Sequence, residues 1–131
     1  MAELTRIACV EDDADIQAII ELALTDIGGF KVTIFSDGPA ALAGLSGFAP
    51  QLVMLDMMMP GMNGLEVLAR IRSDDALQGV PVVFMTAKAQ AHEVEQYKAA
   101  GAQATILKPF DPISLPDQIR DIWNGLDRQR S

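Results

Sequence analysis

The stretch LVMLDMMMPGMNG, residues 52–64, decides the fold because it joins a buried strand to a break and then to a helix start. The apolar run LVML is typical of a strand buried on both faces, and Asp56 closes it. Pro60 and Gly61 postpone the next helix to around Asn63, so Asp56 gains nothing from helix capping. An acid at the end of a buried strand therefore suggests a chemical role.

Similar apolar runs alternate with helical patterns along the whole chain. The predicted strands are Arg6–Val10, Lys31–Phe35, Leu52–Asp56, Pro81–Thr86 and Ala104–Leu107. Apolar residues at helical spacing predict five helices over residues 16–27, 38–45, 65–71, 94–101 and 115–126. Trp123 lies one position off the stripe of Leu115, Ile119, Ile122 and Leu126, so we expect it to be partly exposed.

This alternation predicts an α/β fold, a doubly wound five-stranded parallel sheet flanked by five helices. We expect the flavodoxin-like strand order 2-1-3-4-5, which makes strands one and three neighbours. In open sheets of this kind the ligand site lies at the carboxyl ends of the strands. The residues that follow each strand are therefore the candidate functional residues.

Length and composition predict one domain. The chain has 131 residues, and 50% of them are hydrophobic, which is enough for one core. We expect a single domain over residues 1–131, with its core at about 4–126 and a short polar tail at 127–131. The short tail and the Met1 start favour a protein that acts without an effector domain.

Charge and cysteine usage disfavour several classes of partner and location. The net charge of −8 would repel nucleic-acid phosphates and anionic membrane surfaces. No apolar stretch reaches the roughly 20 residues of a membrane span. The single Cys9 lies in an apolar run, where a buried and inert thiol is expected, and one cysteine cannot form an internal disulfide. We expect a cytoplasmic protein.

Polar side chains stand at four strand ends: Glu11, Asp12 and Asp13, then Asp56, Thr86 and Lys108. Each has a plainer explanation when taken alone. Asp12 or Asp13 would cap the next helix, Thr86 would cap its strand, and Lys108 would be a solvated surface residue. Together at one edge they favour a functional site.

Three carboxylates in one pocket require neutralisation, because two unit charges about 4 Å apart cost roughly 4 kcal/mol at an effective dielectric near 20. A pocket of carboxylate and carbonyl oxygens suits Mg²⁺, or Mn²⁺, rather than zinc. A carboxylate beside such an ion, with a lysine and a hydroxyl nearby, is equipped for phosphoryl transfer onto the carboxylate. Asp56 would be the nucleophile, with Lys108 and Thr86 contacting the phosphoryl oxygens.

In these motifs the sequence resembles the receiver domain of bacterial two-component response regulators, the group that includes the chemotaxis response regulator. The resemblance covers about residues 4–126. It rests on VED at 10–12, DMMMPGMNG at 56–64, the pair TA at 86–87 and KPF at 108–110.

The resemblance implies that Asp56 accepts phosphate from a histidine kinase or a histidine phosphotransfer protein. It implies that Asp12 binds Mg²⁺ directly, that Glu11 does so chiefly through water, and that Asp56 and the Met58 backbone carbonyl complete the ligands, with Asp13 left to start the helix. Thr86 becomes the switch hydroxyl and Lys108 the phosphate-binding lysine. Lys108–Pro109 is the candidate cis peptide.

One position departs from the family pattern, and two others lie where the family sets the lifetime of its acyl phosphate. Many receivers carry Tyr or Phe three positions before the lysine, where this chain has Thr105, so a coupled threonine and aromatic switch is not expected in its usual form. Signalling through the face of helix four, strand five and helix five remains the expectation. Met58 and Lys88 occupy the positions that tune the lifetime of the acyl phosphate in the family. Met58 cannot orient an attacking water, which favours slow hydrolysis, and Lys88 either opposes this effect or shields the phosphate.

Four functions compete at this point. The leading one is a phosphorylation-dependent signalling receiver that switches partner binding and catalyses only its own phosphorylation and dephosphorylation. It acts alone, is part of a longer regulator, or serves as a phosphate relay or sink. A magnesium-dependent phosphohydrolase would need an acid where Met58 stands, and a flavodoxin-like cofactor binder would need a loop less acidic than residues 11–13. A receiver that is never phosphorylated is the fourth alternative.

Overall fold

Strands and helices alternate from end to end in the computed structural model, which describes residues 3–87 and 90–130, with side chains described for 3–87 and 90–126. The strands are β1 (Arg6–Val10), β2 (Lys31–Phe35), β3 (Leu52–Asp56), β4 (Val82–Thr86) and β5 (Ala104–Leu107). The helices are α1 (Ala14–Ile20, continued by a π-helical segment, Glu21–Ile27), α2 (Gly38–Phe48), α3 (Gly64–Ser73), α4 (Ala91–Ala99) and α5 (Leu115–Arg130).

The sheet has the predicted topology. Its five strands are all parallel and lie in the order β2-β1-β3-β4-β5. β4 begins at Val82, one residue later than predicted, because Pro81 has no N–H to donate to the ladder. The carbonyl of Pro81 still accepts a hydrogen bond from the Val53 N–H at 2.9 Å. Every strand therefore ends at the same edge of the sheet.

Two apolar layers cover the two faces of the sheet, because successive strand side chains point to opposite sides. One layer includes Val53, Leu55 and Phe84 together with residues of α2, α3 and α4. The other includes Met54 and Met85 together with residues of α1 and α5. β3 and β4 are buried along their whole length, so they form the fixed centre of the fold.

The first helix changes its winding halfway along. After Ile20 the segment Glu21–Ile27 is a π-helix, and the Gly28 N–H donates to the carbonyl of Ala23, five residues earlier, at 2.9 Å. The sequence predicted one regular helix here, since apolar spacing alone does not distinguish the wider turn. Ala23 and Leu24 are still fully buried, so the wider turn keeps the apolar face on the core.

Two expectations for the last helix were wrong. Trp123 is only 7% exposed, because Leu115, Ile119 and Trp123 are spaced by four residues and lie on one buried face. The backbone of α5 also continues to Arg130, through most of the segment predicted as a polar tail. Residues 127–130 read DRQR and contain no glycine or proline that would end a helix.

The start of α3 is built against the end of β3. Asn63 caps the helix in a reciprocal pair with Glu66, and the Gly64 N–H donates to the Met57 carbonyl at 2.9 Å. A Cβ on Gly64 would lie 2.8 Å from the backbone oxygen of Asp56. Glycine is therefore required here for the helix to approach the residue that ends β3.

Within the described residues, no helix combines the length and the apolar character that a membrane crossing demands.

We predict that Gly64→Ala lowers the free energy of unfolding by about 1–3 kcal/mol, the usual cost of overpacking against atoms that cannot move away. The matched control is Gly47→Ala in α2, where an added Cβ meets nothing within 4 Å. Alanine favours a helix over glycine, so this control should gain up to about 1 kcal/mol. Urea unfolding of both variants measures the difference, and equal stabilities would contradict the close approach at Gly64.

Candidate functional site

The predicted site residues meet in one open pocket at the carboxyl edge of the sheet. The pocket has a volume of about 290 Å³ and is lined by Glu11, Asp12, Asp13, Ile16, Asp56, Met58, Thr86, Ala87 and Lys108. The loop after β1 supplies three acids, β3 ends in Asp56, β4 ends in Thr86, and Lys108 follows β5. Parallel strands in this order bring together side chains that are as many as 97 positions apart in the chain.

Lys108 is the positive centre of the pocket. Its Nζ donates to Glu11 Oε1 at 2.6 Å and to Asp56 Oδ1 at 3.1 Å. Both acids are almost completely buried, with exposed fractions of 0% for Glu11 and 3% for Asp56. A single ammonium group thus bridges the acid that follows β1 and the acid that ends β3.

The pKa values of Glu11 and Lys108 are both raised, but for different reasons. Burial raises the pKa of Glu11 from 4.5 to about 6, and the charge of Asp56 adds to the rise, although Lys108 and the Asp13 N–H oppose it. For Lys108, burial alone lowers the pKa, but Glu11 and Asp56 outweigh burial and hold the pKa above its usual value. The site therefore keeps a charged lysine beside an acid that is costly to ionise.

The three acids that follow β1 differ in their hydrogen bonds and in their exposure to solvent. Asp13 caps α1, accepting hydrogen bonds from the N–H groups of Asp15 at 2.8 Å and Ile16 at 3.2 Å. Asp13 is thus the helix-start acid, as predicted. Asp12 is exposed, while Glu11 is buried, so Asp12 faces the solvent side of the site.

The acids fit a hard divalent cation. Glu11, Asp12 and Asp56 can each offer a carboxylate oxygen, and these oxygens all lie within 4.8 Å of one another. Carboxylate oxygens are the donors that Mg²⁺ prefers, and their shared negative charge favours a cation. The three residues therefore agree with the ligand set that the sequence predicted.

Asp56 is held from its own loop as well as by the lysine. The Met58 N–H donates to Asp56 Oδ1 at 3.3 Å, and the Met57 N–H donates to the Met85 carbonyl at 3.0 Å. The side chain of Met58 is 74% exposed and lines the pocket, whereas Met57 and Met59 are buried. Met58 therefore lies beside Asp56, and its role in phosphate lifetime stays a prediction.

The structure also describes the other predicted site residues, except Lys88. Thr86 is buried at the end of β4, and its carbonyl accepts a hydrogen bond from the Lys108 N–H at 2.8 Å. The Lys108–Pro109 bond is cis, which confirms that prediction. Lys88 lies outside the described residues, so its predicted role in phosphate lifetime stays a prediction.

Thr105 occupies the position where many receivers have an aromatic residue, and two aromatic rings pack together on the neighbouring elements β4 and α4. Thr105 is half-buried on β5 and lies in register with Phe84 on β4. Phe84 packs against Tyr97 of α4 with ring centroids 5.0 Å apart. The aromatic contact between sheet and α4 thus comes from Phe84 and Tyr97.

Sequence reasoning missed Gln17, which lies on the first turns of α1. Its Nε2 donates to the backbone carbonyl of Glu11 at 2.6 Å. The sequence gives only a weak signal for this contact, because Gln17 follows the helix cap by four residues and belongs to no apolar or acidic pattern.

Comparisons with known proteins identify similar chains. The family model for the response regulator receiver domain matches residues 7–120. The DNA-binding response regulator MtrA of Mycobacterium tuberculosis is 38% identical over 115 residues, which cover 88% of this chain and 49% of MtrA. The transcriptional regulatory protein CseB of Streptomyces avermitilis is 37% identical over 122 residues, which cover 93% of this chain and 50% of CseB.

Two solved structures that are similar to this chain are also named as response regulators. The chemotaxis response regulator CheY4 of Vibrio cholerae matches with a TM-score of 0.84 and 25% identity, covering 92% of this chain and 99% of that one. The N-terminal domain of a response regulator receiver protein from Methanoculleus marisnigri matches with a TM-score of 0.74 and 29% identity, covering 97% and 96%. The chain spans about half the length of the curated relatives it matches.

We predict that the contribution of Glu11 to the stability of the metal-free protein falls as the pH rises, because burial raises the pKa of Glu11. Because the folded chain holds this proton more tightly, the contribution of Glu11 to stability is full below about pH 4.5 and is lost as the pH rises through about 6. Glu11→Gln removes this loss. The difference in unfolding free energy, wild type minus Glu11→Gln, should therefore fall across that interval in urea unfolding with a chelator present.

The matched control is Glu95→Gln, which alters an exposed acid on α4. This variant should keep the same pH slope as the wild type. A difference between wild type and Glu11→Gln that stays constant from pH 4.5 to 6 would contradict the burial argument for Glu11.

Proposed function

The chain belongs to the response regulator receiver domain family, and on that basis we propose that it is a phosphorylation-dependent signalling receiver whose phosphoacceptor is Asp56. The observation that carries the proposal is the bridge from Lys108 Nζ to Asp56 Oδ1 at 3.1 Å, within a pocket that also contains Thr86 and the acids Glu11 and Asp12. Acceptor, cation, hydroxyl and metal ligands thus share one edge of the sheet.

The proposed reaction transfers a phosphoryl group from a phosphohistidine to Asp56. A carboxylate oxygen of Asp56 forms the new O–P bond, the N–P bond of the donor breaks, and the released imidazole takes up a proton. Lys108 stabilises the negative charge of the phosphoryl oxygens as a point charge. Thr86, at the end of the next strand, donates its hydroxyl hydrogen to another of those oxygens.

Glu11, Asp12 and Asp56, with the backbone carbonyl of Met58, would hold Mg²⁺, which when bound supplies positive charge that offsets the charge of the phosphoryl oxygens. The chain's own part in this arrangement is to bury Glu11 and Asp56 beside Lys108 and to leave Asp12 at the solvent side.

Receiver domains interact with histidine kinases or phosphotransfer proteins, and we extend this to the donor of this chain. For the downstream partner we propose the face of α4, β5 and α5. Leu107 on β5 is 55% exposed, which leaves an apolar side chain on that face for a partner to cover. Phe84 and Tyr97 connect this face with the strand that ends in Thr86.

The wider assignments stay predictions. MtrA is named as a DNA-binding protein, but the match covers about half of it, and the expectation that this chain acts without an effector domain stays a prediction. The relay or sink role, the cytoplasmic location and the absence of turnover on outside substrates also stay predictions.

We predict that the protein gains one phosphoryl group on incubation with Mg²⁺ and a small acyl phosphate, because Asp56 is positioned as the nucleophile. Intact-mass spectrometry measures the gain. Asp56→Asn and a chelator should each abolish it, whereas Asp121→Asn, at an exposed acid of α5, should keep it. No gain in a folded wild-type protein would overturn the proposed function and leave an interaction module that is not phosphorylated.

We predict that Thr86→Ala still acquires the phosphoryl group but loses most of the structural change at β5 on phosphorylation. The reason is that this variant lacks the hydroxyl that would donate a hydrogen bond to a phosphoryl oxygen. The measurement is the change in the amide NMR shifts of Thr105 and Leu107 on phosphorylation. Thr33→Ala on the distant edge strand β2 is the control and should respond as the wild type does. Full β5 responses in Thr86→Ala would contradict the switch role of Thr86.

A further inference from the structure

Gln17 reaches from α1 back to the loop that carries the acid pair. Its Nε2 donates to the backbone carbonyl of Glu11 at 2.6 Å and lies 3.3 Å from Ser36 Oγ in the loop after β2. The Gln17 side chain is half-buried, so the short hydrogen bond to Glu11 is partly shielded from water. At this distance the amide and the carbonyl form a direct hydrogen bond, with no water between them.

The carbonyl that Gln17 holds lies just beyond the end of the β1 ladder. β1 ends at Val10, and the Glu11 N–H still donates to the Phe35 carbonyl of β2 at 2.9 Å. The Glu11 carbonyl faces the helix side instead and is satisfied by Gln17. A buried carbonyl needs such a partner, so the side chain replaces the strand that would otherwise donate to it.

The same contact fixes the peptide unit between the two acids. The Glu11 carbonyl and the Asp12 N–H belong to one planar group, so fixing the carbonyl sets the direction in which Asp12 leaves the strand. The Glu11 carboxylate is held separately, by Lys108 and by the Asp13 N–H at 3.1 Å. Asp12 is exposed, and its placement therefore depends on the backbone that Gln17 holds.

We propose that Gln17 is a positioning residue for the metal-binding acids, which sets the affinity of the site for Mg²⁺ by holding the Glu11–Asp12 peptide unit. This inference rests on the proposed function, since it concerns the same site. It differs from a purely structural role, because a hydrogen bond that only joined α1 to β1 would change the stability of the fold and leave metal affinity unchanged.

The test compares Gln17→Met, which keeps the length of the side chain and removes the donor, with the wild type. Mg²⁺ is titrated into the unphosphorylated protein, and the amide NMR shifts of residues 11–13 give the Kd. Residues that support metal ligands typically contribute 10–100-fold to affinity, so we expect the Kd of Gln17→Met to rise about tenfold. Thermal unfolding without metal records any loss of stability separately.

Two further variants sharpen the comparison. Ser36→Ala removes the second neighbour of Gln17 and keeps the bond to Glu11, so its Kd should equal that of the wild type. Gln17→Asn keeps an amide but is one methylene shorter, and it should weaken Mg²⁺ binding even where Gln17→Met folds poorly.

The outcomes are separable. A raised Kd in both Gln17 variants, with an unchanged Kd in Ser36→Ala, supports the inference. Wild-type affinity in the Gln17 variants, with or without a lower Tm, overturns it and leaves the proposed function standing. An equal loss in Ser36→Ala also overturns it. A wild-type protein that shows no shift with Mg²⁺ overturns the metal site of the proposed function, and the inference with it.

Discussion

The ion bridge made by Lys108 is the interaction on which the site depends. Its Nζ lies 2.6 Å from Glu11 Oε1 and 3.1 Å from Asp56 Oδ1, and both acids are buried. Without this cation two buried carboxylates would face each other, and at about 4 Å their repulsion would cost roughly 4 kcal/mol. Removing one partner of a buried ion pair is strongly destabilising for the same reason. The bridge therefore lets the fold hold two buried acids side by side.

The rest of the architecture supplies the rigid frame for that bridge. β3 and β4 are buried throughout, which fixes the strand ends that carry Asp56 and Thr86. Gly64 lets α3 begin directly against the backbone of Asp56, and its place cannot be taken by a side chain without a clash. The exposed residues Asp12 and Met58 lie on the outer side of this frame. The buried strands that stabilise the fold thus lie beneath the site, and the solvent-accessible residues lie on its outer side.

Much of this arrangement could be predicted from the sequence, because apolar periodicity and strand-end polarity are local patterns. They predicted the strands, the helices and the acid pocket, whereas the strand order followed from the flavodoxin-like fold class and the choice of Asp13 over Asp12 as the helix-start acid followed from the resemblance to receiver domains. The burial of Trp123 was missed because the predicted stripe passed from Ile119 to Ile122, a spacing of three, whereas the buried face continues from Ile119 to Trp123 at a spacing of four. The π-helical turn after Ile20 and the contact of Gln17 have no local pattern, since both depend on how the first helix packs against the sheet.

Cys9 lies in the core beneath the acid pocket and is fully buried. Burial, with help from the charge of Glu11, raises the pKa of its thiol far above the usual range, and the thiolate is the form that reacts with alkylating reagents. It is also the only cysteine of the chain. A second cysteine introduced on the surface, for example on α4, would therefore take a fluorophore or spin label at one position, without first removing the native thiol.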